Sequence, residues 1–127
     1  RETTGGRGDM LRRQLARSIA VRQRPGFVIV TDPGPDPDDI KALLVSAVLH
    51  KFHTIDLLAV IANGGHDPKG RALLAQCVLD HIGVANVPVG VGSMGVEHPV
   101  AAYERSIEGY GATDASRLHD GHALLLR

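Results

Sequence analysis

The chain has 127 residues, of which 43% are hydrophobic and 22% are charged, as in an ordinary globular domain. Aromatic residues make up only 3%, which argues against a nucleic-acid surface that stacks bases on aromatic rings. No stretch reaches the roughly 18 consecutive apolar residues that a membrane span needs, and the single cysteine, Cys77, cannot form an intrachain disulfide. We therefore expect a cytoplasmic protein without nucleic-acid or membrane partners, in which Cys77 is a buried thiol.

The formal net charge is zero, but the charge is divided unevenly along the chain. Residues 1–26 carry seven arginines and two acidic residues, a net charge of +5, and the remainder has a net charge of −5. Leu11, Leu15 and Ile19 recur every four residues among the arginines, as in a short basic amphipathic helix. We interpret residues 1–26 as an extension, either solvated or used for targeting or for an anionic surface, and residues 27–127 as the folded domain.

The first predicted strand and helix flank an acidic loop. Phe27–Val30 is a continuous apolar run that predicts a strand buried on both faces. The acidic run Thr31–Asp39 follows it directly. From Asp39 onward apolar residues recur at helical spacing, and Asp38 is the predicted N-cap of this helix.

Two more strands and a second helix are predicted downstream. Ile55–Ala62 is nearly all apolar and is followed by Asn63 and two glycines, which end the strand. The next helix has Asp67 as its N-cap, a proline at its first position and Gly83 at its end. Val87–Val91 is the third predicted strand.

This alternation of strands and helices predicts an α/β fold of the Rossmann-like three-layer type, with a mostly parallel sheet. Beyond Gly92 the periodicity fades, so residues 93–122 are predicted to be loop, with a helix around Val100–Ile107. His122–Arg127 begins another apolar element. We therefore expect the chain to be the N-terminal half of such a domain. His119, Asp120 and His122 are ligand-type residues, but the sequence does not fix their geometry.

The acidic run is the main candidate site. Asp32, Asp36, Asp38 and Asp39 place four carboxylates within eight residues. Two unit charges about 4 Å apart repel by about 4 kcal/mol at an effective dielectric constant near 20, whereas a helix N-terminus returns only about 0.3–1 kcal/mol per carboxylate. If the four side chains converge, a divalent cation is the expected counter-charge.

The residues that carry this pattern are similar to a known family. Val28–Leu44, with Asp32-Pro33-Gly34 and Asp38-Asp39-Ile40-Lys41-Ala42-Leu43, resembles the N-terminal signature of the calcium-dependent nucleoside hydrolases. Leu58–Asn63 is similar to the second strand of that family with its asparagine, and Val87–Gly92 to the third strand. The resemblance implies hydrolysis of the N-glycosidic bond of purine or pyrimidine ribonucleosides to ribose and a free base, by a water bound to calcium.

The resemblance also implies individual roles. Asp32 would bind the metal and act as the general base, Asp38 would hold ribose hydroxyls, and Asp39 would ligate Ca²⁺. Asn63 matches the asparagine that contacts the sugar.

The spacing departs from the family, which has one residue between the glycine and the aspartate pair. An alignment anchored on the glycine would put Asp36 on the ribose and Pro37 at the metal, whereas one anchored on the helix selects Asp38 and Asp39. We favour the helix anchor because proline offers no side-chain ligand, and Asp36 is then an additional metal contact. The family's aspartate two residues before the first ligand is replaced by Val30.

Two other kinds of acidic site do not fit the sequence. A haloacid-dehalogenase type of phosphoryl-transfer site needs an aspartate where this chain has Gly34, and a response-regulator receiver needs one on the third strand, which has none. The alternative that stays open is a truncated, inactive fragment that binds a metal or a partner. In the family, further ligands and a histidine near the leaving base come from segments beyond position 127. The chain alone is therefore expected to be inactive, and a homo-oligomer is left open.

Overall fold

The computed structural model describes Met10, residues 24–95 and residues 114–127. The basic N-terminal segment up to residue 23, apart from Met10, and the helix predicted at Val100–Ile107 lie outside the described residues. In chain order the described elements are β1 (Gly26–Thr31), α1 (Pro37–Lys51), β2 (Asp56–Ala62), α2 (Pro68–Ile82), β3 (Val89–Val91), a 3-10 turn (Ala115–Arg117), β4 (Leu118–Asp120) and α3 (Gly121–Leu125).

The four described strands form one sheet in the order β1-β2-β3-β4, and every neighbouring pair is parallel. The predicted α/β fold with a parallel sheet is therefore confirmed, and it is Rossmann-like. Because all four strands point the same way, their carboxyl ends lie along one edge of the sheet, which we call the carboxyl edge. Thr31, Ala62, Val91 and Asp120 are the last strand residues along it.

The helices cover the two faces unequally. α1 and α2 pack against each other and against β2, and α2 also packs on β3. The core between these helices and the sheet contains fully or almost fully buried apolar side chains, among them Leu43, Ala47, Val60, Ala72, Ala75, Leu79 and Val89. α3 lies on the opposite face, because Gly121 contacts Ile61 and Gly90, which alternate with the core residues Val60 and Val89 along their strands.

The second helix begins and ends as predicted, whereas the first begins earlier. In α2 the Asp67 side chain accepts a hydrogen bond of 2.8 Å from the Gly70 amide, and Gly83 ends the helix in the left-handed region at φ +80°. In α1 the N-cap is Asp36 and Pro37 is the first helical residue. The prediction of Asp38 as N-cap is wrong, because Pro37 has a φ suited to the first helical turn and the helix starts there.

The prediction that β1 is buried on both faces is wrong. Val28 and Val30 are 41% and 53% exposed, and Leu58 of β2 is 56% exposed. Within the described residues β1 pairs only with β2, and α3 packs chiefly on β3 and β4. This end of the sheet consequently has one covered face, to which Ile29 contributes, and one open apolar face.

The prediction of loop over residues 93–122 is wrong at Leu118–Asp120, which form β4, and the apolar element predicted from His122 onward is the short helix α3. Asp120 is the N-cap of α3 and accepts a 2.8 Å hydrogen bond from the Ala123 amide. Ahead of β4, Arg117 forms two hydrogen bonds of 2.8 and 3.0 Å with the carboxylate of Asp80 in α2. The Asp80 carboxylate raises the pKa of Arg117, and hydrogen bonds from Ser116 lower the pKa of Asp114.

The described part of the chain also bears on membrane-spanning segments and on the burial of Cys77. Within Met10, residues 24–95 and residues 114–127, no helix is both long and apolar enough to cross a membrane. Cys77 is half-buried rather than buried, and its Sγ lies 3.6 Å from Nδ1 of His81, one helical turn further along α2.

The contact of α3 with β3 predicts the effect of a methyl group at Gly90. A Cβ there would lie 2.6 Å from the Gly121 Cα and 3.0 Å from Leu124 Cδ1, so Gly90→Ala should lower the free energy of unfolding by about 1–3 kcal/mol. The matched control is Gly26→Ala, where the obstacle is the flexible, exposed Leu58 side chain at 2.9 Å. Urea unfolding of both variants measures the difference, and equal midpoints would contradict the packing of α3 on β3.

Candidate functional site at the carboxyl edge

Main-chain hydrogen bonds join the end of β1 to the loop that follows β2, and that loop to the loop that follows β3. The Asn63 amide donates to the Thr31 carbonyl at 2.8 Å, and the Gly64 amide donates to the Ser93 carbonyl at 3.0 Å. The Gly95 amide donates to the Gly65 carbonyl at 3.1 Å. The end of β1 and these two loops therefore form one connected surface at the carboxyl edge, where parallel α/β sheets bind their ligands.

Glycine makes this close approach possible. Gly64 has φ +82°, and a Cβ there would lie 3.0 Å from the Cβ of Asp32. At Gly95 a Cβ would lie 2.9 Å from the Gly65 nitrogen. Because a larger residue at either position would push the loops apart, the spacing of the site depends on these glycines.

Among the predicted site residues, Asp32 has a main chain that is fixed by a buried arginine and a side chain that is open to solvent. Its side chain is 63% exposed, at the carboxyl end of β1. The guanidinium of Arg71, in the first turn of α2, donates a hydrogen bond from Nη1 to the Asp32 carbonyl, and the same nitrogen is 4.0 Å from Asp32 Oδ2. Asp32 thus presents a solvent-accessible carboxylate, and the guanidinium of Arg71 fixes its main chain through the carbonyl.

The other three aspartates of the acidic run have different surroundings. Asp39 is half-buried in the first turn of α1, and its Oδ1 accepts a hydrogen bond from the Thr31 hydroxyl. Asp36 and Asp38 are exposed, and the Asp36 side chain makes no capping hydrogen bond. Asp39 therefore faces the end of β1, while Asp36 and Asp38 lie at the solvent surface.

The convergence of four carboxylates is not found. Among residues 24–95 and 114–127, no three side chains of the types His, Cys, Asp and Glu come together as a metal ion would require. The four carboxylates therefore do not create the shared centre of repulsion for which a divalent cation was the expected counter-charge. The assignment of Asp32, Asp36 and Asp39 as metal ligands consequently stays a prediction that rests on the resemblance alone.

Asn63 joins the second and third loops. Its Oδ1 accepts a 3.0 Å hydrogen bond from the Ser93 amide. The fit is tight, since a Cβ on Gly92 would lie only 1.8 Å from that oxygen. The side chain of Asn63 is therefore oriented by its neighbours, with its carbonyl oxygen turned toward the third loop.

A cavity of about 240 Å³ opens beside Asn63, on the sheet face that carries α3. Its polar lining comes from Asn63, Ser93, Asp120 and His122, and its apolar lining includes Val30, Ile61 and Leu125. The ligand-type residues Asp120 and His122 are thus brought to the same edge as Asn63.

Sequence reasoning missed Arg71 as a site residue. It is 9% exposed, which is unusual for an arginine. The available signal was an arginine one turn into the helix that follows Asn63 and two glycines. Within the regular apolar pattern of α2, however, a single arginine does not indicate which residues it contacts. Its partner, the Asp32 carbonyl, lies 39 positions away in the chain.

Comparison with known proteins supports the fold. No family model matches the chain, and no curated protein matches it. The crystal structure of the effector protein XOO4466 is similar, with a TM-score of 0.60 and 21% identity over 92% of this chain. The chain spans 36% of the length of that protein. At this level of identity the similarity shows the Rossmann-like α/β fold alone.

The contact between Asn63 and Gly92 predicts a coupled pair. Gly92→Ala should displace the Asn63 amide and break its hydrogen bond with Ser93, lowering the free energy of unfolding by about 1–3 kcal/mol. In a background that carries Asn63→Ala only the Ala62 carbonyl oxygen, 3.0 Å from the Gly92 Cβ position, remains close, so Gly92→Ala should cost less. Urea unfolding of the four proteins gives the coupling energy, expected at about 0.5–3 kcal/mol. Additive effects would argue against the contact.

Proposed function

We propose that the carboxyl edge is part of an active site that hydrolyses the N-glycosidic bond of a ribonucleoside, releasing ribose and a free purine or pyrimidine base. The observation that carries the proposal is the position of three residues matched to the family by sequence. Asp32 and Asn63 lie in the loops after β1 and β2, and Asp39 lies in the first turn of α1, all at the edge where a parallel sheet binds ligands. The cellular location that we propose is the cytoplasm.

Asp32 is suited to the role of general base. Its carboxylate is 63% exposed, so a water molecule can reach it, and its main chain is fixed by Arg71. In the proposed reaction the carboxylate takes a proton from the attacking water, whose oxygen bonds to the anomeric carbon as the bond to the base nitrogen breaks. The base leaves with the electron pair of that bond and takes up a proton from solvent. A positioned base of this kind contributes about 10²–10⁴-fold to rate.

The neighbouring residues are suited to binding the sugar. Asn63 has its Oδ1 occupied by the Ser93 amide, so it would offer its NH₂ group to a ribose oxygen. Asp38 is exposed in the first turn of α1 and would accept hydrogen bonds from ribose hydroxyls. Negative charge at this edge also favours the oxocarbenium-like transition state of glycosidic cleavage.

Calcium, which the resemblance implies, has only partial support in the donor set. Calcium takes six to eight oxygen ligands, and Asp32 and Asp39 are of the right type. The described residues do not bring three such side chains together, so they do not amount to a calcium site. We propose calcium as the cofactor only with further ligands from outside these residues, and the base role of Asp32 does not require it.

A second candidate is an inactive module that binds a metal or a partner. The exposed apolar side chains of Val28, Val30 and Leu58, on the open face at the β1 end of the sheet, favour its partner-binding form. The two candidates differ in one measurable property, the release of free base.

Removal of the proposed base gives the first test. Inosine, uridine and adenosine are supplied to the intact protein with calcium, and released base is quantified by chromatography. Asp32→Asn should reduce the rate by at least about 100-fold, because the amide cannot take up the proton. Asp56→Asn, at the amino end of β2, is the matched control and should keep the activity. Failure of the intact protein to release base from any of the three nucleosides would rule out the hydrolase.

Calcium binding gives a second, independent test. Titration calorimetry of calcium into the 127-residue chain should show weak binding, because a carboxylate pair fills only part of a calcium shell. Asp39→Ala should abolish this binding, whereas Asp36→Ala should weaken it less, since Asp39 is half-buried at the end of β1 and Asp36 is exposed. A larger loss with Asp36→Ala would transfer the metal role to Asp36.

A further inference from the structure

We propose that Arg71 is a positioning residue. It holds the loop after β1 and the loop after β2 at a fixed distance and so sets the position of the Asp32 main chain. The importance of that position for catalysis rests on the proposed function, whereas the coupling of the two loops does not.

The guanidinium lies between the two loops and touches both. On one side, a Cβ on Gly34 would be 2.8 Å from Nη1 of Arg71, and Nη1 donates to the Asp32 carbonyl. On the other side, a Cβ on Gly65 would be 3.1 Å from both Nε and Nη2. Each loop therefore has a glycine where the guanidinium packs directly against the main chain.

The anchoring of Arg71 makes it a firm connection. It lies one helical turn after Asp67, the N-cap of α2, and its own amide donates to the Asp67 carbonyl at 3.1 Å. Its side chain is 11% exposed, so burial restricts its rotamers. A buried cation is costly unless it is hydrogen-bonded, and the carbonyl of Asp32 supplies one such bond.

The contact with the main chain matters more than the ion pair. Asp32 Oδ2 lies 4.0 Å from Nη1, and the Asp32 side chain is 63% exposed, so solvent screens that attraction. The hydrogen bond to the Asp32 carbonyl is part-buried and fixes the backbone from which the carboxylate projects. Arg71 thus acts through Asp32 and is a positioning residue rather than a catalytic one.

A planar guanidinium fits this role better than an ammonium. It presents several N–H groups in a rigid fork, so one nitrogen can serve the Asp32 carbonyl while the opposite edge packs on Gly65. Lysine would keep one donor for the carbonyl and leave the space beside Gly65 unfilled. The two conservative changes therefore have different expected effects on the two loops.

The test uses ¹⁵N relaxation of the 127-residue chain, with the amides of Gly34 and Gly65 as probes. In the unmodified chain both should have order parameters near the rigid value of about 0.85. Arg71→Met should lower both toward about 0.6. Arg71→Lys should keep the order parameter of the Gly34 amide near the rigid value but not that of the Gly65 amide. Arg117→Met, which removes the ion pair with Asp80 away from the carboxyl edge, should leave both unchanged.

A second variant leaves Arg71 in place, in case Arg71→Met does not fold. Gly34→Ala should push the guanidinium away from the first loop and raise the mobility of Gly65 across the gap. Rigid Gly34 and Gly65 amides in Arg71→Met would overturn the proposal. If Arg71→Met is unfolded, an unchanged Gly65 in Gly34→Ala would overturn it instead.

Kinetics separates this proposal from the proposed function. If the intact protein hydrolyses nucleosides, Arg71→Met should lower kcat by about 10–100-fold with little change in KM, because a displaced base reacts poorly with a substrate that still binds. An unchanged kcat would refute the positioning role and leave the hydrolase standing. If the intact protein is inactive, the hydrolase proposal fails, and the relaxation measurement still decides whether Arg71 couples the loops.

Discussion

Close approach of main chains at the carboxyl edge is the constraint on which the whole site depends. The end of β1 and the loops after β2 and β3 are joined by hydrogen bonds of 2.8–3.1 Å directly between their backbones. Such contact leaves no room for side chains at Gly64 or Gly95. Glycine costs conformational entropy on folding, and the hydrogen bonds between the loops offset that cost. Asp32 and Asn63 are therefore placed by the backbone around them more than by their own side-chain contacts.

Arg71 extends the same constraint below the surface. Its guanidinium packs on Gly34 and Gly65, so the glycines that look like simple turn residues in the sequence also form the walls for a buried cation. A positive charge in this position is compatible with burial because a carbonyl accepts its hydrogen bond. The loops, the Arg71 guanidinium and the exposed Asp32 carboxylate form one unit. A larger residue at any of the glycines that line it is therefore expected to change the position of the carboxylate.

The sequence predicted those features whose signals are local. The start of α2 at Asp67 and its end at Gly83 follow from capping rules that involve neighbouring residues only, and both are found. β4 was missed because two of its three residues, His119 and Asp120, are polar, so no apolar run marks the strand as Val87–Val91 marks β3. The exposure of Val28 and Val30 could not be read from an apolar run, since it depends on where β1 lies in the sheet. The role of Arg71 likewise depends on a contact across 39 positions.

The acidic run shows why a dense cluster of charges in a sequence need not be a cluster in space. Asp39 has the Thr31 hydroxyl as its partner, Asp32 has Arg71 nearby, and Asp36 and Asp38 are exposed to water. At the dielectric constant of water, two charges about 4 Å apart repel by only about 1 kcal/mol, so exposed neighbours are tolerated. The run can fold without a cation, because each carboxylate has its own environment. The reason to propose calcium is therefore the reaction, and not the stability of the acidic loop.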